Sequence, residues 1–150
     1  MRLTARITRR TLRRLDFLAD RFLPPDPQAT HLKTGRRGEE DVYFHLREHG
    51  YVMVARNYRS ARRRGEVDLI GWEGDVLCFV EVKTRTTRAV KPAEAAVNHE
   101  KQRELAGMAR EYLRNLPGVG EWRFDVVSVY YENQSSRPEI EIFKNAFSVS

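Results

Sequence analysis

Glu66-Val67-Asp68-Leu69-Ile70-Gly71-Trp72, then Glu73-Gly74-Asp75, then Val76-Leu77-Cys78-Phe79-Val80-Glu81-Val82-Lys83 reads as two strands joined by a turn. Valine, leucine, isoleucine and aromatic residues crowd both runs, and a polar triplet centred on glycine separates them. Side chains alternate faces along a strand, so Leu77, Phe79, Glu81 and Lys83 point one way. Glu66, Asp68, Ile70 and Trp72 share a face in the same manner. Glu81 and Lys83 are then neighbours roughly 6.5 Å apart, two strand steps along the chain. Charges set among so many apolar residues are costly to bury unless something pairs with them. Two carboxylates converging on one point, with a lysine beside them, suit a divalent cation and a phosphate. The plainer alternative is an ion-pair network at a sheet edge, with Lys83 bound to Asp68 or Glu81 and no chemistry performed.

Further elements extend from this hairpin in both directions. Tyr51 to Tyr58 reads as a preceding strand, and Ser60 to Arg64 as a basic loop. Gly35-Arg36-Arg37-Gly38 leads into a helix from about Glu39 to Glu48, which Gly50 stops. Glu39, Val42, Tyr43 and Leu46 fall at the spacing of one helical face. Glu39 heads that apolar stripe, a placement open to a carboxylate in a site and to a first-turn glutamate favoured by the helix dipole. Downstream, Thr84 to Lys91 reads as a polar loop ended by Pro92. A long helix runs from Ala93 to about Leu116, with Val97, Lys101, Leu105, Met108 and Tyr112 on one stripe. Pro117-Gly118-Val119-Gly120 breaks it. Trp122 to Tyr131 is the fourth strand and Glu139 to Lys144 the fifth, with a polar turn over Glu132 to Pro138. The fourth strand follows a helical crossover, so it should join the sheet parallel to a neighbour. The expected fold class is α/β, a mixed central β-sheet flanked by helices.

The 150 residues favour a single folded domain, and the 41% hydrophobic and 32% charged composition is that of a globular protein. No apolar run approaches the roughly 20 residues of a membrane helix. The N-terminus lacks an apolar signal core, so secretion is not expected, and stable membrane insertion is not expected among the partners. The single cysteine, Cys78, cannot form an internal disulfide and suits a reducing cytoplasm. Net charge is +6, of which residues 1–33 carry +5 from eight basic and three acidic side chains. Residues 1–34 therefore read as a basic N-terminal extension and linker, with Pro24-Pro25-Asp26-Pro27 ending an amphipathic, arginine-rich segment over 1–23. Residues 35–150 read as the domain. Arg56, Arg59, Arg62, Arg63, Arg64, Arg85 and Arg88 flank the charged strands and suit a polyphosphate partner. Arginines that merely solvate a turn are the alternative. His45 and His49 stand four apart on one helix without a third ligand, and read as solvent-facing.

Six segments occur together in order: Gly38-Glu39, Val54-Ala55-Arg56-Asn57-Tyr58-Arg59, Gly65-Glu66-Val67-Asp68-Leu69-Ile70, Phe79-Val80-Glu81-Val82-Lys83-Thr84-Arg85, Lys101-Gln102 and Arg123-Phe124-Asp125-Val126-Val127. In these the chain resembles the YraN family, small bacterial proteins of uncharacterised role. That family is similar to the PD-(D/E)XK nuclease superfamily, and within it to the archaeal Holliday-junction resolvases. The resemblance covers residues 35 to about 147 and implies a restriction-endonuclease-like or resolvase-like core. Position by position, Glu39 matches the helix carboxylate of the superfamily, Asp68 its central metal ligand, and Glu81 with Lys83 its E-x-K pair. Val67 stands where the superfamily name has proline, and Val42 where the family usually has alanine.

The resemblance implies metal-assisted hydrolysis of phosphodiester bonds in DNA, branched DNA included. Asp68, Glu81 and Glu39 would hold Mg²⁺ or Mn²⁺, and Asp68, Glu81 and Lys83 would be catalytic. Lys83 would steady developing negative charge or orient the attacking water. Arg56, Arg59, Arg62, Arg63, Arg64, Arg85 and Lys101 would contact nucleic acid, and Glu66 would be a reserve ligand or bridge an arginine at 62–64. Symmetric cutting of two strands suits a homodimer. The alternative function is a non-catalytic nucleic-acid-binding module that keeps the nuclease fold. A third is a membrane-surface protein that uses residues 1–23.

Overall fold

The computed structural model describes residues 27–85, 97–132 and 137–149, with side chains from residue 32 onward. The arginine-rich segment over 1–23, the loop carrying Arg88, the expected helix start at Ala93 and the middle of the turn after Tyr131 lie outside the described residues. Within them are α1 (Pro27–Glu48), β1 (Val52–Tyr58), β2 (Val67–Glu73), β3 (Val76–Arg85), α2 (His99–Arg114), β4 (Glu121–Tyr130) and β5 (Glu139–Phe147).

The five strands form one sheet in the order β1-β2-β3-β4-β5. β1, β2 and β3 form an antiparallel meander, β3 and β4 run parallel, and β5 returns antiparallel to β4. The crossover through α2 thus makes the parallel joint that a strand-helix-strand connection favours. Only Gly74 and Asp75 separate the paired Glu73 and Val76, and Gly74 carries the positive φ of 57° that so tight a hairpin demands. The result is a mixed α/β fold that agrees with a restriction-endonuclease-like core.

The two helices cover opposite faces. Val42 and Leu46 of α1 pack with Tyr51, Leu69, Cys78, Val80, Val127 and Val129. Leu105, Ala106, Met108 and Ala109 of α2 pack with Val67, Ile70, Leu77, Phe79, Phe124 and Val126. Alternation along β3 and β4 feeds two apolar layers, β2 departs from it at Val67, which joins Ile70 in the α2 layer, and the interior strands read as near-continuous hydrophobic runs.

α1 starts at Pro27, twelve residues before the start expected from periodicity. Gly35 and Gly38 depress helix propensity and look like a break. Tertiary contact overrides that at Gly38, where a Cβ would run into Thr84 Oγ1 of β3. The helix can lie against the end of β3 only because the side chain there is a hydrogen. Its C-terminus closes as anticipated. Gly50 has φ 92°, its N–H donates to the Arg47 carbonyl, and the Tyr51 N–H donates to the Leu46 carbonyl. This is a Schellman closure, and Tyr51 and Leu46 meet in the same apolar layer. α2 starts at His99. Asn98 precedes it with extended backbone, and its side-chain oxygen accepts from the Lys101 N–H at 2.9 Å.

Candidate functional site

The register of the β2–β3 hairpin sets Ile70 opposite Phe79 and Leu69 opposite Val80. Continuing that register one step sets Asp68 level with Glu81, which shares the α2-covered face of β3 with Leu77 and Phe79. Both are buried, at 8% and 4% exposure. Asp68 is anchored across the pair, since its Oδ2 accepts from the Val82 N–H at 2.7 Å. Lys83, one residue beyond, donates to Glu81 Oε1 at 2.8 Å and is partly open to solvent. Asp68, Glu81 and Lys83 are thus brought together at one end of the sheet.

The electrostatics follow from this geometry. Burial raises the Asp68 carboxyl, and the neighbouring Glu81 carboxylate raises it further. The Val82 N–H, which favours the charged form, pulls the other way, Glu39 adds a further push upward, and Lys101 lowers it. The balance sets Asp68 at about 7. Two carboxylates held this close repel each other unless a cation or a proton sits between them.

Lys101, in the first turn of α2, approaches Glu81 from outside the hairpin. Its Nζ lies 3.4 Å from Glu81 Oε2 and donates to the Glu66 carbonyl at 3.2 Å. The Glu81 Oε2 contact lacks hydrogen-bond geometry, and that oxygen is buried without a hydrogen-bond partner. From the sequence, Lys101 interrupts the apolar stripe one turn after Val97, with a phosphate contact and a lysine snorkelling along the core edge as equal alternatives. It faces the carboxylates instead.

Glu39 stands nearby on α1 but apart from the pair, where its Oε2 accepts from Asn57 Nδ2 at 3.0 Å. Asn57 takes a left-handed φ of 48° inside β1, a conformation asparagine tolerates better than most side chains. Nothing in the sequence pattern marked Asn57 as the partner of Glu39. Among the described residues, no three histidine, cysteine, aspartate or glutamate side chains form a group able to hold a metal. Asp68 and Glu81 still fit a divalent cation, since both are buried, each feels the other's charge, and Glu81 leaves one carboxylate oxygen without a hydrogen bond.

The arginines fall into distinct environments. Arg59 pairs with Glu66 at 2.7 Å, so the partner of Glu66 is Arg59 and not one of the arginines at 62–64. Arg63 reaches back to α2, 3.7 Å from Glu111, with its guanidinium lying over Gly107. Gly65, at φ 95°, sits against Glu104 of the same helix. Arg62, Arg63 and Arg64 are exposed on this docked loop. Arg56 stacks on the Tyr43 ring at 4.7 Å, on the α1 face. Arg85 ends β3, half-buried.

A second charged cluster went unassigned in the sequence. Arg123 of β4 donates to Asp125 Oδ1 at 2.8 Å and to Glu73 Oε2 at 2.6 Å. Asp125 is 1% exposed, and its Oδ1 also accepts the Asn145 N–H of β5 at 2.9 Å. Burial pushes the Glu73 carboxyl up, but bonds from Lys144 and Arg123 bring it well below the usual carboxylate range. This network links β2, β4 and β5 on the α1 face.

Cys78 is buried in the α1 layer. His45 and His49 stack on each other near the end of α1, with His49 exposed. No described helix is long and apolar enough to cross a membrane.

Comparison with known proteins agrees with the motif pattern. Residues 38–129 match the uncharacterised protein family UPF0102. A UPF0102 protein of Koribacter versatilis is 52% identical over 133 residues, covering 89% of this chain and 92% of that one. One from Solibacter usitatus is 43% identical, covering 75% and 84% respectively. One from Chlorobaculum tepidum is 40% identical, covering 77% and 92%. With a family match across more than half its length and relatives this similar over most of theirs, the chain belongs to the UPF0102 family, the YraN proteins its motifs resemble.

Proposed function

We propose that this protein is a divalent-metal-dependent endonuclease that hydrolyses phosphodiester bonds in DNA. The observation that carries this is the buried, interacting pair Asp68 and Glu81, with Lys83 on Glu81 Oε1. Asp68 and Glu81 would hold Mg²⁺ or Mn²⁺, with Glu39 close enough to add charge but engaged by Asn57. When bound, such a cation supplies a hydroxide from its water and offsets charge on the scissile phosphate. The Val82 N–H keeps Asp68 aimed across the hairpin. Lys83, partly open to solvent, is placed to steady charge that develops on the phosphate oxygens. The loop carrying Arg62, Arg63 and Arg64 is fastened to α2 beside the site, where its cations would hold flanking phosphates. Arg59, Arg85 and Lys101 would extend that surface, and Arg56 would offer a further cation from the α1 face. A cytoplasmic protein cutting branched DNA as a homodimer is the fullest form of this reading.

The test is cleavage of plasmid, forked and four-way DNA with Mg²⁺ or Mn²⁺. Wild-type protein should nick or cut at least one of these, and Asp68→Asn, Glu81→Gln and Lys83→Met should each lose at least a hundredfold in rate, the scale of one lost electrostatic or acid-base contribution. Activity surviving in Asp68→Asn would remove the assignment. A second reading has its own support. Both oxygens of Glu81 lie near ammonium groups, which a purely structural ion-pair network would also produce. Salt-sensitive DNA binding without cleavage under any metal would favour that non-catalytic module.

A further inference from the structure

Lys83 and Lys101 divide the two oxygens of one buried carboxylate between them, and they do so differently. Lys83 makes a true hydrogen bond to Glu81 Oε1 at 2.8 Å from the next position along its own face of β3. Lys101 comes from α2, 3.4 Å from Oε2, without hydrogen-bond geometry. Oε2 is therefore the oxygen left for a ligand. Lys101 also acts on Asp68, whose charged form it favours, so it serves both carboxylates at once. A positive charge that serves both acids from outside the hairpin fills the role a divalent cation would fill. Lys101 is tied to one further atom, the Glu66 carbonyl at 3.2 Å, at the mouth of the same strand. Its side chain is about a quarter exposed, so a long flexible stem has an open route outward.

We propose that the Lys101 ammonium is a built-in stand-in for the metal, which neutralises the Asp68–Glu81 pair in the metal-free protein and gives way when a divalent cation binds. This rests on the metal site proposed above and adds a competition to it. The pair stays compensated in the empty protein, and metal affinity is held down by the same lysine. Lys83 does not exchange, because its bond is to the other oxygen.

The experiment measures Mn²⁺ binding to the full chain without DNA, by the loss of the free-ion electron paramagnetic resonance signal. Lys101→Met should bind Mn²⁺ roughly tenfold more tightly than wild type, a coupling typical of two ligands that share one site. Lys101→Arg, which keeps the charge, should stay near the wild-type affinity, and Asp68→Asn should abolish binding. Circular dichroism on each variant confirms the fold. A second readout follows the protein after reductive ¹³C-methylation. Mg²⁺ should move the Lys101 dimethylamine resonance and leave that of Lys83 nearly in place. Unchanged or weaker Mn²⁺ binding in Lys101→Met overturns the stand-in role while leaving the metal site standing. Absence of binding in wild type and Lys101→Met alike overturns both.

Discussion

Gly35 and Gly38 sit three residues apart in α1 and should respond to the same substitution with opposite signs. A Cβ on Gly35 meets nothing within 4 Å. Gly35→Ala should therefore stabilise the protein by about 0.5 to 1 kcal/mol, the helix-propensity difference. A Cβ on Gly38 would run into Thr84, with its Cβ and Cγ2 as well as its hydroxyl in the way. Gly38→Ala should lose about 1 to 3 kcal/mol to overpacking, more than the propensity gain returns. Urea denaturation midpoints separate the two outcomes.

Asp68 gives the other prediction at this scale. Its folded value of about 7 lies above its ordinary 3.8, so the folded protein holds that proton longer than the unfolded chain. Stability tied to Asp68 is then complete below about pH 4, drains away as pH rises toward 7, and stays at its minimum above that. In metal-free buffer, Asp68→Asn should match wild type near pH 4 and exceed it by roughly 2 to 4 kcal/mol at pH 8. Thermal melts across that pH range check the sign. That Glu81 and Lys83 are neighbours was legible because alternation along β3 puts both on one face. Lys101 and Asn57 were not. Which way a lysine at the top of a helical stripe turns, and which asparagine takes a left-handed backbone, depend on elements distant in sequence.

Among the elements, the strands were the readable part. Apolar runs, a glycine turn and a helical crossover left little freedom in their order or sense. Helix starts were less readable. α1 passes through two glycines because β3 offers one of them a seat, and that contact leaves no local mark. The Arg123 network was also hidden, since an arginine and an aspartate two apart on a strand look like surface charge. They instead fasten three strands together. Arg123→Met should leave Asp125 buried without its cation and destabilise the fold by about 3 kcal/mol. Arg123→Met combined with Asp125→Leu should recover part of that loss, measured in the same urea titrations.

Over the whole molecule, the α/β class and the paired carboxylates follow from local pattern, while the closing of the site depends on distant parts of the chain. Glu39 arrives on α1 and Lys101 on α2, from opposite faces of the sheet. Asp68 and Glu81, by contrast, lie on one hairpin with a two-residue turn. Such a hairpin closes within microseconds, long before a helix more than thirty residues from Asp68 can dock. The nascent chain must therefore bring two like charges together before its distant counter-charge is in place. Refolding in stopped flow should be slower at pH 8 than at pH 5, and Asp68→Asn should remove most of that difference. In this protein the acids that define the site would also set the pace at which the chain first finds its shape.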